Sequence, residues 1–231
     1  QEIIRERADV VIVNNEENRQ RWIWLYGSKV PVELVPTGCP QHIPRPGANP
    51  FSGRPKNIIF LGSIAAPRML EMLNALAVNI GHLVDIHLIG LNKVCMYGGD
   101  DSCALDGRVI DHGEVPERDV WNYIFHADIG LAFATGTLAF DNDVSKIFNY
   151  LRGGLPVVSE TPIINNSLIR QTGHGLIFDY GSVDGMTQAC LDILGGAIRQ
   201  GREPVMNFMA SEHSWERRSL TYSTIFNSLL R

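Results

Sequence analysis

Cysteine is scarce in this chain, with four thiols in 231 residues, at Cys39, Cys95, Cys103 and Cys190. None of their spacings matches a zinc site, and only Cys95 and Cys103 lie close enough in sequence to suggest a pair. The expectation is therefore free thiols, most of them packed as small hydrophobes, and no bound metal. An excess of positive charge is also missing: 20 Lys and Arg stand against 25 Asp and Glu, a formal net charge of -5. No basic stretch alternates with aromatics, so nucleic acid is excluded as a partner. Apolar runs such as 57–62 and 127–134 have the length of strands, far short of the roughly 20 residues that cross a bilayer. The opening "QEIIRERADV" has no apolar signal core, and the chain reads as soluble and cytoplasmic. Repeats and low-complexity tracts are absent as well.

What is present is alternation. "NIIFLG" reads as an apolar strand, "APRMLEMLNALAVNI" places Leu70, Leu73, Leu76, Ala77 and Ile80 at helical spacing, and "VDIHLIG" is a strand again. The pattern continues through "RVIDHG", "ERDVWNYIFH", "ADIGLAFA", "VSKIFNYLRG", "LPVVSE", "INNSLIRQT", "GHGLIFD" and "VDGMTQACLDILGGAIRQ". Strands alternating with helices of this length predict an α/β fold, a six-stranded parallel Rossmann-like sheet with helices on both faces, from 57 to about 200. The ends depart from the pattern. "RADVVIVNNEENRQRWIWLYG" is one strand and one helix, and the Pro- and Gly-rich "KVPVELVPTGCPQHIPRPGANPFSGRP" reads as an extended connector. "SWERRSLTYSTIFNSLL" is a closing amphipathic helix, set off from the sheet by "GREPVMNF".

Ligands of open parallel sheets sit beyond the carboxyl ends of the strands, so the loops there carry the candidate chemistry. The helix opening near Val144, with Asp143 as its expected N-cap, offers unpaired backbone N–H groups at Ser145, and Lys146 adds a full positive charge. After "FLGS", Gly62 and Ser63 leave room for a close approach, and Arg68 follows Pro67 at a helix start. The turn "DHGEVPERD" places His112, Gly113 and Glu114 where backbone groups can read the edge of a base. Each feature has an ordinary structural reading too: a solvated lysine beside a capping aspartate, a surface arginine, and a plain strand-to-helix turn.

Taken in order, "FLGS", "HLIG", "VIDHGEV", "HADIGLAFA", "SKIFNYLRGGLPVVS" and "HSWERRS" resemble the carboxyl-terminal, donor-binding half of GT-B fold glycosyltransferases, in particular the group 1 (family four) class. "ADVVIVNNEENRQRW" and "VELVPTGCP" likewise resemble that family's last amino-domain unit and its hinge, with Thr37 where an asparagine is usual. The resemblance implies three regions: 1–55 as the end of an amino-terminal domain plus hinge, 56–200 as the nucleotide-sugar-binding domain, and 201–231 as a terminal helix crossing back. It implies Lys146, Arg68 and Asp141 as catalytic groups, and Gly62, Ser63, His112, Gly113, Glu114, Ser145 and Asn149 as donor-binding groups.

The departures matter. The two glutamates that flank the donor in retaining members correspond to Asp141 and Asn149, and the arginine after the first strand glycine is Ser63. A lysine followed three residues later by an amide and then tyrosine is also similar to the inverting xanthan-type glucuronosyltransferases, so either stereochemical outcome stays open. The resemblance implies a nucleoside-diphosphate sugar, in the first place a UDP-sugar, as substrate and no further cofactor. It also implies a glycan or lipid-linked acceptor reached through an amino-terminal domain missing from this chain, with the full protein at the inner membrane surface. A non-catalytic nucleotide-binding subunit with a degenerate site is the alternative, and an epimerase of the same fold a third. Trp22, Trp24 and Trp215 lie in the first and last helices, and the expectation is that they bury one another at the hinge.

Overall fold

The computed structural model describes residues 4, 7–94, 103–138 and 142–230. Cys95 and Asp141 lie outside them, and so does the suggested pairing of Cys95 with Cys103. Cys39, Cys103 and Cys190 are buried, as small hydrophobes are.

Six parallel strands form the main sheet: β3 (Asn57–Leu61), β4 (Asp85–Ile89), β5 (Val109–Asp111), β6 (Ile129–Ala132), β7 (Val157–Glu160) and β8 (Gly175–Phe178), in the order β5-β4-β3-β6-β7-β8. The order reverses between β3 and β6, where the chain switches from one half of the sheet to the other. The register pairs Ile58 with Ile86 on one side and with Ile129 on the other. Every residue of β3 is buried, as expected of a central parallel strand covered on both faces. One face packs on α2 (Pro67–Ile80) and α6 (Val183–Leu194), the other on α3 (Glu117–His126) and α4 (Lys146–Arg152). α5 (Asn166–Thr172) connects β7 to β8. The helix α2 begins with Pro67 at a first-turn position and buries Leu70, Leu73, Leu76, Ala77 and Ile80, the stripe read from the sequence.

The short helix α4 is bolted to the sheet. The Tyr150 hydroxyl accepts from the Leu61 N–H (2.8 Å) and donates to the Leu131 carbonyl (3.3 Å). Its ring lies against Gly130 so closely that a Cβ there would meet ring atoms at 2.6 Å. The paired glycines after α4 have separate tasks. Gly153 leaves no room for a side chain beside Ile124, and Gly154 turns the chain with φ 68°. Together they bring the backbone round into the buried β7.

The terminal regions are more structured than the sequence suggests. The expected connector contains a strand, β2 (Val32–Leu34), parallel to β1 (Val11–Val13), with α1 (Glu16–Tyr26) between them. "GREPVMNF" is part of a helix, α7 (Arg202–Glu212), which buries Val205 and Met209 against the sheet layer. Local composition hid both elements, because Pro and Gly flank β2 and Pro204 occupies the first turn of α7, a position that tolerates it. The last helix, α8 (Trp215–Leu229), starts where Cys39 and Ser214 form a parallel bridge. From α8, Arg218 donates to the carbonyls of Pro36 (3.1 Å) and Glu212 (3.1 Å).

The tryptophans do not bury one another. Trp24 is 81% exposed and Trp215 50%, while Trp22 lies against Tyr26 in a tilted pair with ring centroids 4.6 Å apart. α1 and α8 instead border one groove of about 400 Å³ through Trp22, Leu25 and Tyr222. α1 has no buried residue and almost no apolar face, so its aromatics are not drawn into a common core.

Candidate functional site

The glycine that ends β3 and the one that ends β4 touch. A side chain at Gly90 would collide with the Gly62 carbonyl, and φ is 142° at Gly90 and 92° at Gly62. This contact opens a cleft of about 420 Å³ at the carboxyl edge of the sheet, beside the point where the strand order reverses. Leu61, Gly62 and Ser63 form one wall, and Ile89, Gly90 and Leu91 the floor. Glu114, Val115, Glu117 and Val120 form the second wall, and Ser145, Lys146 and Asn149 of α4 the third.

Six of the residues singled out from sequence therefore meet in one cavity: Gly62, Ser63, Glu114, Ser145, Lys146 and Asn149. Lys146 is its central charge. The ammonium lies over the Phe60 ring, 3.6 Å from the centroid, and Gly62 approaches it so closely that a Cβ there would lie 3.9 Å from Nζ. The side chain is partly open to the cleft, yet protein crowds the ammonium closely enough that desolvation lowers its pKa from 10.5 to about 7. The aromatic face favours the charged form and opposes part of that shift. No ion pair to Lys146 occurs among the described residues.

Of the other sequence candidates, Asp141 lies outside the described residues, and Arg68, His112 and Gly113 do not line the cleft. Arg68 makes a two-pronged ion pair with the fully buried Glu160 (2.6 and 2.9 Å), donates to the Ala134 carbonyl, and stacks on Tyr180 at 4.1 Å. Glu160 also accepts from the N–H groups of Ala134 (2.8 Å) and Gly181 (2.7 Å), so this carboxylate ties together the ends of β6, β7 and β8. His112 points beneath the cleft into a chain of polar groups, and Gly113, with φ 63°, turns the backbone above it. The Gly113 carbonyl accepts from the Gly90 N–H at 2.8 Å.

Asp143 is not the cap of α4, because Ser145 precedes the first helical residue and makes no side-chain cap bond. Asp143 accepts instead from Asn14 (2.7 Å), Asn165 (3.1 Å) and Thr37 (3.4 Å), drawing β1 and the hinge to the sheet. At the other end of α4, Arg152 donates to the carbonyls of Pro40 (3.0 Å) and Gln41 (2.6 Å).

Sequence reasoning missed Glu117 on the cleft wall and Glu160 as the partner of Arg68. A signal for Glu160 was available, since a carboxylate closing the buried run "LPVVSE" demands a cation. Glu117 carried no such signal. A second cavity of about 210 Å³ shares Glu117, Val120, Ser145 and Asn149 with the cleft and extends to Gly38, Pro40 and Trp215 at the hinge. Among the described residues no cluster of His, Cys, Asp or Glu could hold a metal, and no helix is long and apolar enough to cross a membrane.

No protein-family model matches the sequence, and no curated protein sequence is similar to it. Solved structures are. Sucrose-phosphate synthase from Thermosynechococcus elongatus matches at a TM-score of 0.72 and 15% identity over 98% of this chain and 60% of its own. Anabaena HepE, solved with UDP and glucose, matches at 0.73 and 16%, over 99% and 64%. A glycosyltransferase from Rickettsia africae matches at 0.74 and 10%, over 100% and 68%. The chain thus spans about three-fifths of the first two. Its fold is that of the carboxyl-terminal half of GT-B glycosyltransferases.

Proposed function

We propose that this chain is the donor-binding half of a glycosyltransferase that uses a nucleoside-diphosphate sugar, most readily a UDP-sugar. The observation that carries the proposal is the convergence of Gly62, Ser63, Glu114, Ser145, Lys146 and Asn149 on one cleft, with a partly desolvated ammonium at its centre. A diphosphate laid against Gly62 and Ser63 meets Lys146 and the first amides of α4, which a helix start leaves without intrahelical acceptors. The base lies against Glu114 and Val115, and Asn149 reaches the ribose hydroxyls.

In transfer, the bond from the anomeric carbon to the diphosphate oxygen breaks and a bond to an acceptor hydroxyl oxygen forms. Lys146 stabilises the negative charge that grows on the leaving diphosphate. The acceptor, a glycan or lipid-linked sugar, and the group that takes its proton belong to an amino-terminal domain outside this chain, of which 1–55 would be the last part. Asp141 remains a proposed contributor on resemblance alone. Arg68 acts at one remove, fixing the ends of β6 and β7 through Glu160.

A second reading is favoured by one observation: with Arg68 engaged by Glu160, Lys146 is the one cation lining the cleft among the described residues. That fits a degenerate, non-catalytic nucleotide-binding subunit as well. Calorimetric titration with UDP tests the donor site. Binding in the parent that weakens by about 1–3 kcal/mol in Lys146→Ala supports it, the range for a charge-assisted hydrogen bond. Absence of UDP binding, or equal affinity in the mutant, refutes it.

A further inference from the structure

Beneath the cleft a chain of four polar side chains runs from α3 to β3. His112 Nδ1 lies 3.3 Å from the Tyr123 hydroxyl, and His112 Nε2 lies 3.0 Å from His87 Nδ1. His87 Nε2 lies 3.0 Å from Asn57 Oδ1, and the Asn57 amide nitrogen donates to the Arg54 carbonyl, which sets the amide's orientation. Proton positions then follow from donor chemistry. An amide oxygen only accepts, so His87 Nε2 carries a proton and its Nδ1 accepts; His112 Nε2 therefore donates, its Nδ1 accepts, and Tyr123 donates. With both imidazoles neutral every group is satisfied.

We propose that His87, which lies outside the walls of the cleft, is a positioning residue: its ring anchors His112 and thereby holds the 112–115 turn that carries Glu114 and Val115 into the nucleotide wall. His87 is buried, and Phe51 of the connector covers it at a ring distance of 4.5 Å. The turn has few other ties. His112 N–H donates to the Leu88 carbonyl, Gly113 N–H to the Asp111 side chain, and Gly90 N–H to the Gly113 carbonyl.

The anchor is acid-sensitive by construction. A first added proton is accommodated on His112 Nδ1 if the Tyr123 hydroxyl rotates to accept it. A second places two N–H groups face to face between the rings and must break the His87–His112 bond. Burial and the neighbouring imidazole hold His87 down at about 4, with Asp85 opposing. Burial lowers His112 as well, opposed by Asp111. The charged groups around the pair are thus Asp85 on β4, Asp111 on β5, and Arg54 of the connector, which is paired to Asp85 at 3.5 Å. α3 contributes Tyr123 and β3 contributes Asn57.

The effect on binding rests on the donor-site reading above, whereas the order of the turn does not, so the experiment measures both. Amide hydrogen exchange, corrected for intrinsic rates, is followed at Gly90, His112 and Gly113 in the parent, His87→Leu and His87→Gln, from pH 7 to pH 4, alongside UDP titration at pH 7. In the parent, protection at these amides is expected to fall about tenfold towards pH 4 while β7 stays protected. In His87→Leu it is low throughout and UDP binds about tenfold more weakly. His87→Gln, which can still accept from His112 and donate to Asn57, restores protection and removes the acid sensitivity. Unchanged protection in His87→Leu, with β7 showing the protein folded, overturns the proposal. So does acid sensitivity that persists in His87→Gln. Protection that behaves as expected in a parent that binds no UDP would overturn the donor-site reading and leave the positioning role standing.

Discussion

A lysine with a pKa near 7 must take up a proton when a diphosphate arrives beside it, and this follows from Lys146 alone. The free protein holds the ammonium against Phe60 in a desolvated niche, so at pH 7 about half of the molecules carry the charge and at pH 8 about a tenth. A bound diphosphate favours the charged form and moves the pKa back towards the normal lysine range. Binding should therefore be accompanied by uptake of about 0.5 proton at pH 7 and about 0.9 at pH 8. Affinity should then fall about tenfold, some 1.4 kcal/mol, for each pH unit above 8 until the bound-state pKa is reached. Calorimetry with UDP at pH 8 in Tris and in HEPES reads this directly, because the two buffers release protons at different enthalpic cost while the nucleotide stays fully ionised. The apparent enthalpies should differ in proportion to the uptake. Lys146→Arg should bind UDP with equal enthalpies in both buffers, since a guanidinium is charged throughout. Equal enthalpies in the parent, with saturable binding, would show that Lys146 does not meet the phosphates or is charged beforehand, and the argument from burial would fail.

Replacing Lys146 with methionine should raise stability at pH 7 by roughly 1–3 kcal/mol. A lysine whose folded pKa lies below its unfolded value penalises folding at all pH below the unfolded value, here discounted for partial exposure; denaturant midpoints for the two proteins check it. Tyr150→Phe should cost about 1–3 kcal/mol by leaving the buried Leu61 N–H without an acceptor, again read from denaturation. Glu160→Gln should cost about 3 kcal/mol and free the Arg68 guanidinium, because a buried ion pair broken on one side leaves the other charge uncompensated. A melting temperature within a degree of the parent would contradict that. His87 and His112 have folded pKa values below the unfolded 6.5, so the unfolded chain binds more protons in acid; stability should fall as pH drops from about 6.5 towards 4, and in His87→Gln the fall should be smaller.

The alternation of apolar strands with amphipathic helices determined the fold from sequence alone, because a parallel strand must be covered on both faces and each covering helix must keep its stripe. "NIIFLG", "VDIHLIG" and "ADIGLAFA" admit few other arrangements, and the glycines that end the first two strands mark where the backbone opens into a cleft. Six of the ten candidate residues line one cleft for the same reason, since loops at the carboxyl edge of one sheet are brought together by topology. Which of the ten would face that cavity was not legible in the sequence. Arg68 and Lys146 look alike in sequence, each at a helix start after a strand, but a buried carboxylate captures the first at the end of β7 and no described carboxylate reaches the second. Likewise His112 is a plausible wall residue until His87 and Tyr123, on other elements, claim both of its nitrogens. Side-chain direction at a loop depends on partners that only the packed sheet supplies, and a local pattern carries no record of long-range charge pairing.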